Sequence, residues 1–175
     1  MRKIIPIILM LVALTGSLSA QDALTGHYQM TTLDLSTGLP NNNVNQFFVD
    51  SKGFVWISTY GGGAVRYDGF SFMPIGQKSS QGLSSISCKG MTEDLFQRLW
   101  IAYDERTDVI DMRTMSRTTP PYGKDNISRM LDRPSVAVYH DAKGAIWQVT
   151  TDTIYRYTFD EKGNVSYVSH YRYIG

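Results

Sequence analysis

Gly38-Leu39-Pro40-Asn41-Asn42-Asn43-Val44 opens a stretch that runs through Asp50-Ser51-Lys52-Gly53-Phe54-Val55-Trp56-Ile57-Ser58-Thr59 to Gly63-Ala64-Val65-Arg66-Tyr67-Asp68-Gly69-Phe70-Ser71-Phe72. The stretch recurs, less cleanly, twice more. The three tryptophans, Trp56, Trp100 and Trp147, mark the period, with spacings of 44 and 47 residues. Each has an aspartate six residues before it: Asp50, Asp94 and Asp141. Gly-Leu stands twelve residues before the first two aspartates, at Gly38-Leu39 and Gly82-Leu83. A repeat of this length has to be recognised before any local reading, because it determines the whole fold.

Within the first repeat, Val44 to Val49 is rich in apolar residues and reads as a strand. Asp50 to Gly53 is a turn, in which the carboxylate bonds nearby backbone and the glycine takes a left-handed conformation. Phe54 to Ser58 is a second strand, apolar on both faces and so suited to burial on both sides. Ala64 to Tyr67 and Phe70 to Ile75 follow as the third and fourth. Four short antiparallel strands in about 45 residues make one propeller blade. The expected fold is therefore all-β, with about three four-stranded antiparallel blades and a ring that three blades leave incomplete.

The strings Gly-Leu-Pro-Asn-Asn, Asp-x-x-Gly-Phe-Val-Trp-Ile-Ser-Thr and Gly-x-x-Arg-Tyr-Asp-Gly resemble the two-component regulator propeller repeat. That repeat builds the periplasmic sensor region of hybrid two-component proteins of Bacteroidetes. The resemblance covers about residues 28 to 160 and is strongest in the first repeat. It implies a sensor without catalytic residues or cofactor of its own. It also implies an oligosaccharide ligand, with further blades and a membrane-spanning histidine kinase elsewhere in a parent protein. A homodimer is among the partners expected.

The expected organisation is a signal peptide at 1–20, a lead-in strand within 21–37, and blades at 38–81, 82–128 and 129–175. Arg2 and Lys3, the apolar run Ile4 to Leu14 and the small residues Ser17 to Ala20 carry the signal-peptide reading, which places the chain in the periplasm. An uncleaved membrane anchor is the rival. Tyr28 to Leu35 reads as the lead-in strand. In the second repeat, Gln97 replaces the turn glycine, at a cost of about 1 kcal/mol if the backbone stays left-handed. Arg113 to Asp132 reads as a long loop around the fourth strand. Cys88, the sole cysteine, falls where Val44 stands in the first repeat and reads as a buried strand residue.

The net charge of +1 gives no electrostatic reason to expect nucleic acid. No nucleophile elbow, phosphate loop or paired-histidine metal motif is present, so neither a metal nor a cofactor is expected. A propeller enzyme, lyase or hydrolase, and a protein-interaction scaffold remain as alternatives to the sensor. Asp50, Trp56, Asp94, Trp100, Asp141 and Trp147 read as structural repeat positions. The loops entering the first strand and leaving the second lie at one end of each blade, where binding residues usually sit. The candidate ligand residues there are Asn41, Asn42, Asn43, Tyr60, Asp104, Glu105 and Arg106. The asparagines equally suit a plain turn, and the charged triplet equally suits a solvated one.

Overall fold

The computed structural model describes residues 30–75 and 83–173. Its strands form three antiparallel sheets of the blade type. The first holds β1 (Val44–Val49), β2 (Val55–Thr59), β3 (Gly63–Tyr67) and β4 (Phe72–Ile75), paired in sequence order. The second holds β5 (Cys88–Glu93), β6 (Arg98–Tyr103), β7 (Thr107–Asp111) and β8 (Ser116–Thr118), paired in the same way. The third holds β11 (Ser135–His140), β12 (Ile146–Thr150), β13 (Thr153–Phe159) and β14 (Val165–Arg172), and is widened by a small hairpin of β9 (Pro121–Tyr122) and β10 (Asp125–Asn126).

The spacing between aspartate and tryptophan has a local cause. Asp50 Oδ1 accepts from the backbone N–H groups of Lys52 and Phe54, and its Oδ2 accepts from the Trp56 indole at 2.7 Å. Asp94 does the same for Phe96, Arg98 and Trp100, and Asp141 for Lys143, Ala145 and Trp147. One carboxylate thus closes the turn and fixes the tryptophan, which requires both at one offset. Gln97 holds the left-handed turn position with φ 58°, where Gly53 and Gly144 stand in the other repeats.

Sheets pack face to face. Trp56, Ala64 and Ile75 of the first meet Met91, Leu99 and Ile101 of the second. Trp100, Ala102 and Val109 of the second meet Val138, Ile146 and Tyr157 of the third. No core joins the third sheet to the first among the described residues, so the ring is not closed. Trp56 and Trp100 are fully buried, whereas Trp147 is half-buried. It therefore does not sit between blades as the other two tryptophans do. Among the described residues no further sheet covers it, and it stacks instead on Tyr171, with ring centroids 6.4 Å apart. β12 accordingly alternates in burial, while β6 is buried throughout.

Two expectations are corrected. Met30 to Leu35 forms no strand; Leu35–Thr37 is a turn of 3₁₀ helix, and Tyr28 lies outside the described residues. Asp34 captures the backbone N–H groups of Ser36 and Thr37, and this local cap outcompetes extension. Arg113 to Asp132 is not a loop. Besides β8 it contains the β9–β10 hairpin and a helical turn, Ser128–Leu131. Ile127 and Leu131 anchor the segment in the second core, and β9 adds alongside β14 through Val165 and Tyr122. Two isolated apolar residues carry no period that a sequence reading detects.

Candidate functional site at the loop end of the sheets

The loops entering the first strands and those joining second to third strands lie at one end. Tyr60 bridges Ser87, and the N–H groups of Gly61 and Gly63 both donate to the Ile86 carbonyl. A Cβ on Gly62 would lie 2.5 Å from Thr59 Oγ1 and 2.9 Å from Pro40 Cβ, so bare backbone is required at this contact. The glycines therefore latch the first sheet to the second. Arg106 takes the corresponding place between the second and third sheets. Its Nη1 lies 2.6 Å from Asp132, and its Nε lies 3.2 Å from Asp108, without hydrogen-bond geometry. Asp108 is fully buried and also accepts from Ser84 N, Ser84 Oγ and Arg117.

The sequence candidates divide on this geometry. Asn41 Oδ1 accepts from Asn43 N, and Asn42 Oδ1 accepts from Leu35 N, so both side chains are committed to local backbone. Arg106 is committed to the ion cluster. Asn43 and Glu105 are exposed. Tyr60, half-exposed, and Asp104 converge on a residue that the sequence reading did not select: Lys89, whose Nζ lies 3.1 Å from Asp104 Oδ1 and 5.9 Å from the Tyr60 ring centroid.

Lys89 owes its position to a β-bulge. Each first strand slips register by one residue, at Asn45, Lys89 and Val136 respectively. The extra residue of a bulge is unpaired and its side chain is re-aimed. These three positions, with Gln46, Gly90 and Tyr139, line a groove of about 300 Å³ between the first strands. Asn45 Nδ2 donates to the Cys88 carbonyl at 2.6 Å, and Gln46 Oε1 accepts from Met91 N at 2.6 Å, so β1 is stitched to β5 through side-chain amides. The repeat alignment, which equates Asn45, Lys89 and Val136, is the signal that would have identified Lys89.

The Cys88 thiol is buried, and desolvation pushes it up to about 12, so it stays protonated at neutral pH. Burial likewise raises the Tyr103 hydroxyl. The Trp147 indole N–H, with backbone N–H groups of Ala145 and Lys143, holds Asp141 at about 2. Among the described residues, no group of three or more His, Cys, Asp or Glu is placed to hold a metal. No helix among them is long and apolar enough to cross a membrane.

Residues 38–61 match the family model for the two component regulator propeller. None of the curated proteins matches the chain. Among solved structures, the extracellular domain of the hybrid two component system BT4673 from B. thetaiotaomicron superposes with TM-score 0.60 at 19% identity, over 83% of this chain and 18% of that one. The corresponding domain of BT3049 from the same organism gives TM-score 0.59 at 20% identity, over 81% and 20%. The chain thus spans about a fifth of the length of these two domains. A catalytically inactive virginiamycin B lyase from Staphylococcus aureus gives TM-score 0.55 at 14% identity, over 84% and 45%. At these identities the likeness is one of fold. Residues 38–61 match the two component regulator propeller model, and the three sheets share their fold with the extracellular domains of hybrid two-component systems.

Proposed function

We propose that this chain is a periplasmic ligand-sensing segment of a two-component signal transduction sensor, and that its ligand is an oligosaccharide. The regulator-propeller repeat at residues 38–61 carries the reading. The likeness of fold to extracellular sensor domains supports it, as does the signal-peptide character of residues 1–20. On this reading the segment does no chemistry. The signal passes to further blades and to membrane-spanning kinase parts of a parent protein.

The binding surface is the Tyr60–Lys89–Asp104 cluster beside the groove between the first strands. An exposed tyrosine face stacks on a sugar ring, and the ammonium, the carboxylate and Asn43 exchange hydrogen bonds with hydroxyls. The sheets are joined by the glycine latch and the Arg106 ion cluster, so a ligand at that seam biases how one sheet sits on the next. Such a bias requires differential affinity for two arrangements, and about 1.4 kcal/mol of difference shifts the balance tenfold.

The test is calorimetric titration of the chain with a panel of soluble oligosaccharides, beside thermal melting. The expected result is one saturable binder whose affinity falls at least about tenfold, or 1.4 kcal/mol, in Tyr60→Ala and Asp104→Asn, with little change in melting. Arg106→Ala is expected to lower the melting temperature, because it leaves the buried Asp108 short of a cation. Unchanged affinity in Tyr60→Ala and Asp104→Asn would remove this cluster from the site.

A further inference from the structure

Between β8 and β11 the chain forms the β9–β10 hairpin and the helical turn Ser128–Leu131. Ile127 and Leu131 are buried in the core that joins the second and third sheets, and Tyr122 and Met130 pack against the same core. The rung from Tyr122 to Val165 fixes the hairpin further. Anchored in this way, the segment forms a pocket of about 650 Å³ lined by Tyr122, Lys124, Asn126, Ser128, Arg129 and Met130. That volume lies within the range of small-molecule sites. The pocket shares no residue with the groove between the first strands or with the Tyr60 cluster, and the two sheets beside it both belong to this chain.

The lining is cationic and rich in donors. Lys124 and Arg129 are exposed and make no ion pair among the described residues, whereas most arginines of the fold, Arg98, Arg106 and Arg133 among them, lie on carboxylates. No carboxylate stands among the described lining residues. Asn126 Oδ1 accepts from Ser128 N at 2.9 Å, which leaves the amide Nδ2 to donate. An ammonium, a guanidinium, an amide N–H and the Ser128 hydroxyl together suit an oxyanion, which only accepts. Tyr122 and Met130 supply an apolar wall beside them.

We propose that this pocket binds a small organic anion of about sugar size, with its carboxylate, sulfate or phosphate group held by Lys124 and Arg129 and its ring against Tyr122. Arg129 offers a planar fork that two oxygens of the group can share, and Lys124 adds a point charge. A neutral molecule of the same size leaves both cations without a countercharge, so the charge of the ligand sets the selectivity. The site does not depend on the sensing role proposed above.

The experiment is calorimetric titration of the full chain with glucuronate, a glucose monosulfate and a glucose monophosphate, with glucose as the neutral control. At least one anion is expected to bind saturably, with affinity that falls as salt rises. The tightest of the three identifies the acid group that the pocket prefers. Lys124→Gln and Arg129→Gln are each expected to weaken that anion about tenfold or more. Melting is expected to be unchanged in both, because the two side chains are exposed and unpaired. Lys52→Gln, in the hairpin turn of the first sheet, removes the same charge elsewhere and is expected to leave binding as it was. Four results each overturn the proposal: no anion bound at millimolar concentration, glucose bound as tightly as the anions, affinity retained in either pocket variant, or an equal loss in Lys52→Gln.

Discussion

At the scale of single residues, the three tryptophans make the same hydrogen bond and differ in what covers them. Trp56 and Trp100 are fully buried between sheets, whereas Trp147 has solvent on one side. Truncating a buried tryptophan to alanine removes a large transfer term and leaves a cavity, at a cost of about 3–5 kcal/mol. Trp56→Ala and Trp100→Ala are expected to lose that much in urea titrations. Trp147→Ala is expected to lose clearly less, because its site is already open and needs no cavity. Equal losses at all three positions would mean that the third face is covered. The ligand candidates show why residue type alone misleads. Asn41, Asn42 and Arg106 have the chemistry of a glycan site, but neighbouring backbone already uses the side-chain oxygens of both asparagines, and carboxylates pair the Arg106 guanidinium. Whether a polar side chain is free depends on those partners, and an amino-acid string does not display them.

At the scale of elements, the aspartate-led hairpin turn is the recurrent unit, and its weakest copy is the second. Gln97 sits at φ 58°, a conformation that costs an L-residue about 1–2 kcal/mol. Gln97→Gly is expected to raise stability by up to about 1 kcal/mol, since the glycine's larger unfolded-state entropy offsets part of the relief. Chemical denaturation measures it, and a loss of stability would show that Gln97 contributes something other than its backbone. Strand assignment from apolar patterning worked because the pattern and the sheet ladder share a period of two. The bulges at Asn45, Lys89 and Val136 were not legible, since a one-residue slip leaves the composition of a strand unchanged. The β9–β10 hairpin escaped for a related reason: a two-residue strand carries no period, and its place is fixed by a single rung to β14 and the burial of Ile127 beside it.

At the scale of the whole molecule, acid tests the network of capped turns and ion pairs. Asp141 is held at about 2 from an ordinary 3.8, chiefly by the Trp147 indole. Asp111 is lowered by Arg113, Asp152 by Arg133, and Asp160 by Asn164. Groups lowered on folding bind fewer protons in the native state, so their stabilisation is complete above the unfolded value and is lost as pH falls through the folded one. The melting temperature is expected to hold down to about pH 5 and then fall through the window from about 4 to 2. Asp141→Asn is expected to flatten part of that fall. A melting curve unchanged down to pH 2 would show that these carboxylates are not held as described.

The sequence by itself determined the repeat, the all-β class, the tryptophan-bearing strands and the aspartate turns. Each of these is a local relation, in which a carboxylate reaches an indole six residues on, or alternate side chains share a face. The tertiary structure alone decided which copies of the repeat are equivalent in environment. Trp147 has an aspartate six residues before it, as Trp56 has, and makes the same hydrogen bond, yet only one of them meets another sheet. It also decided that Tyr60 of the first sheet converges on Lys89 and Asp104 of the second, because packing of one sheet on the next brings together residues that lie far apart in sequence. Burial and convergence belong to the interface between sheets, and no single repeat contains both sides of it.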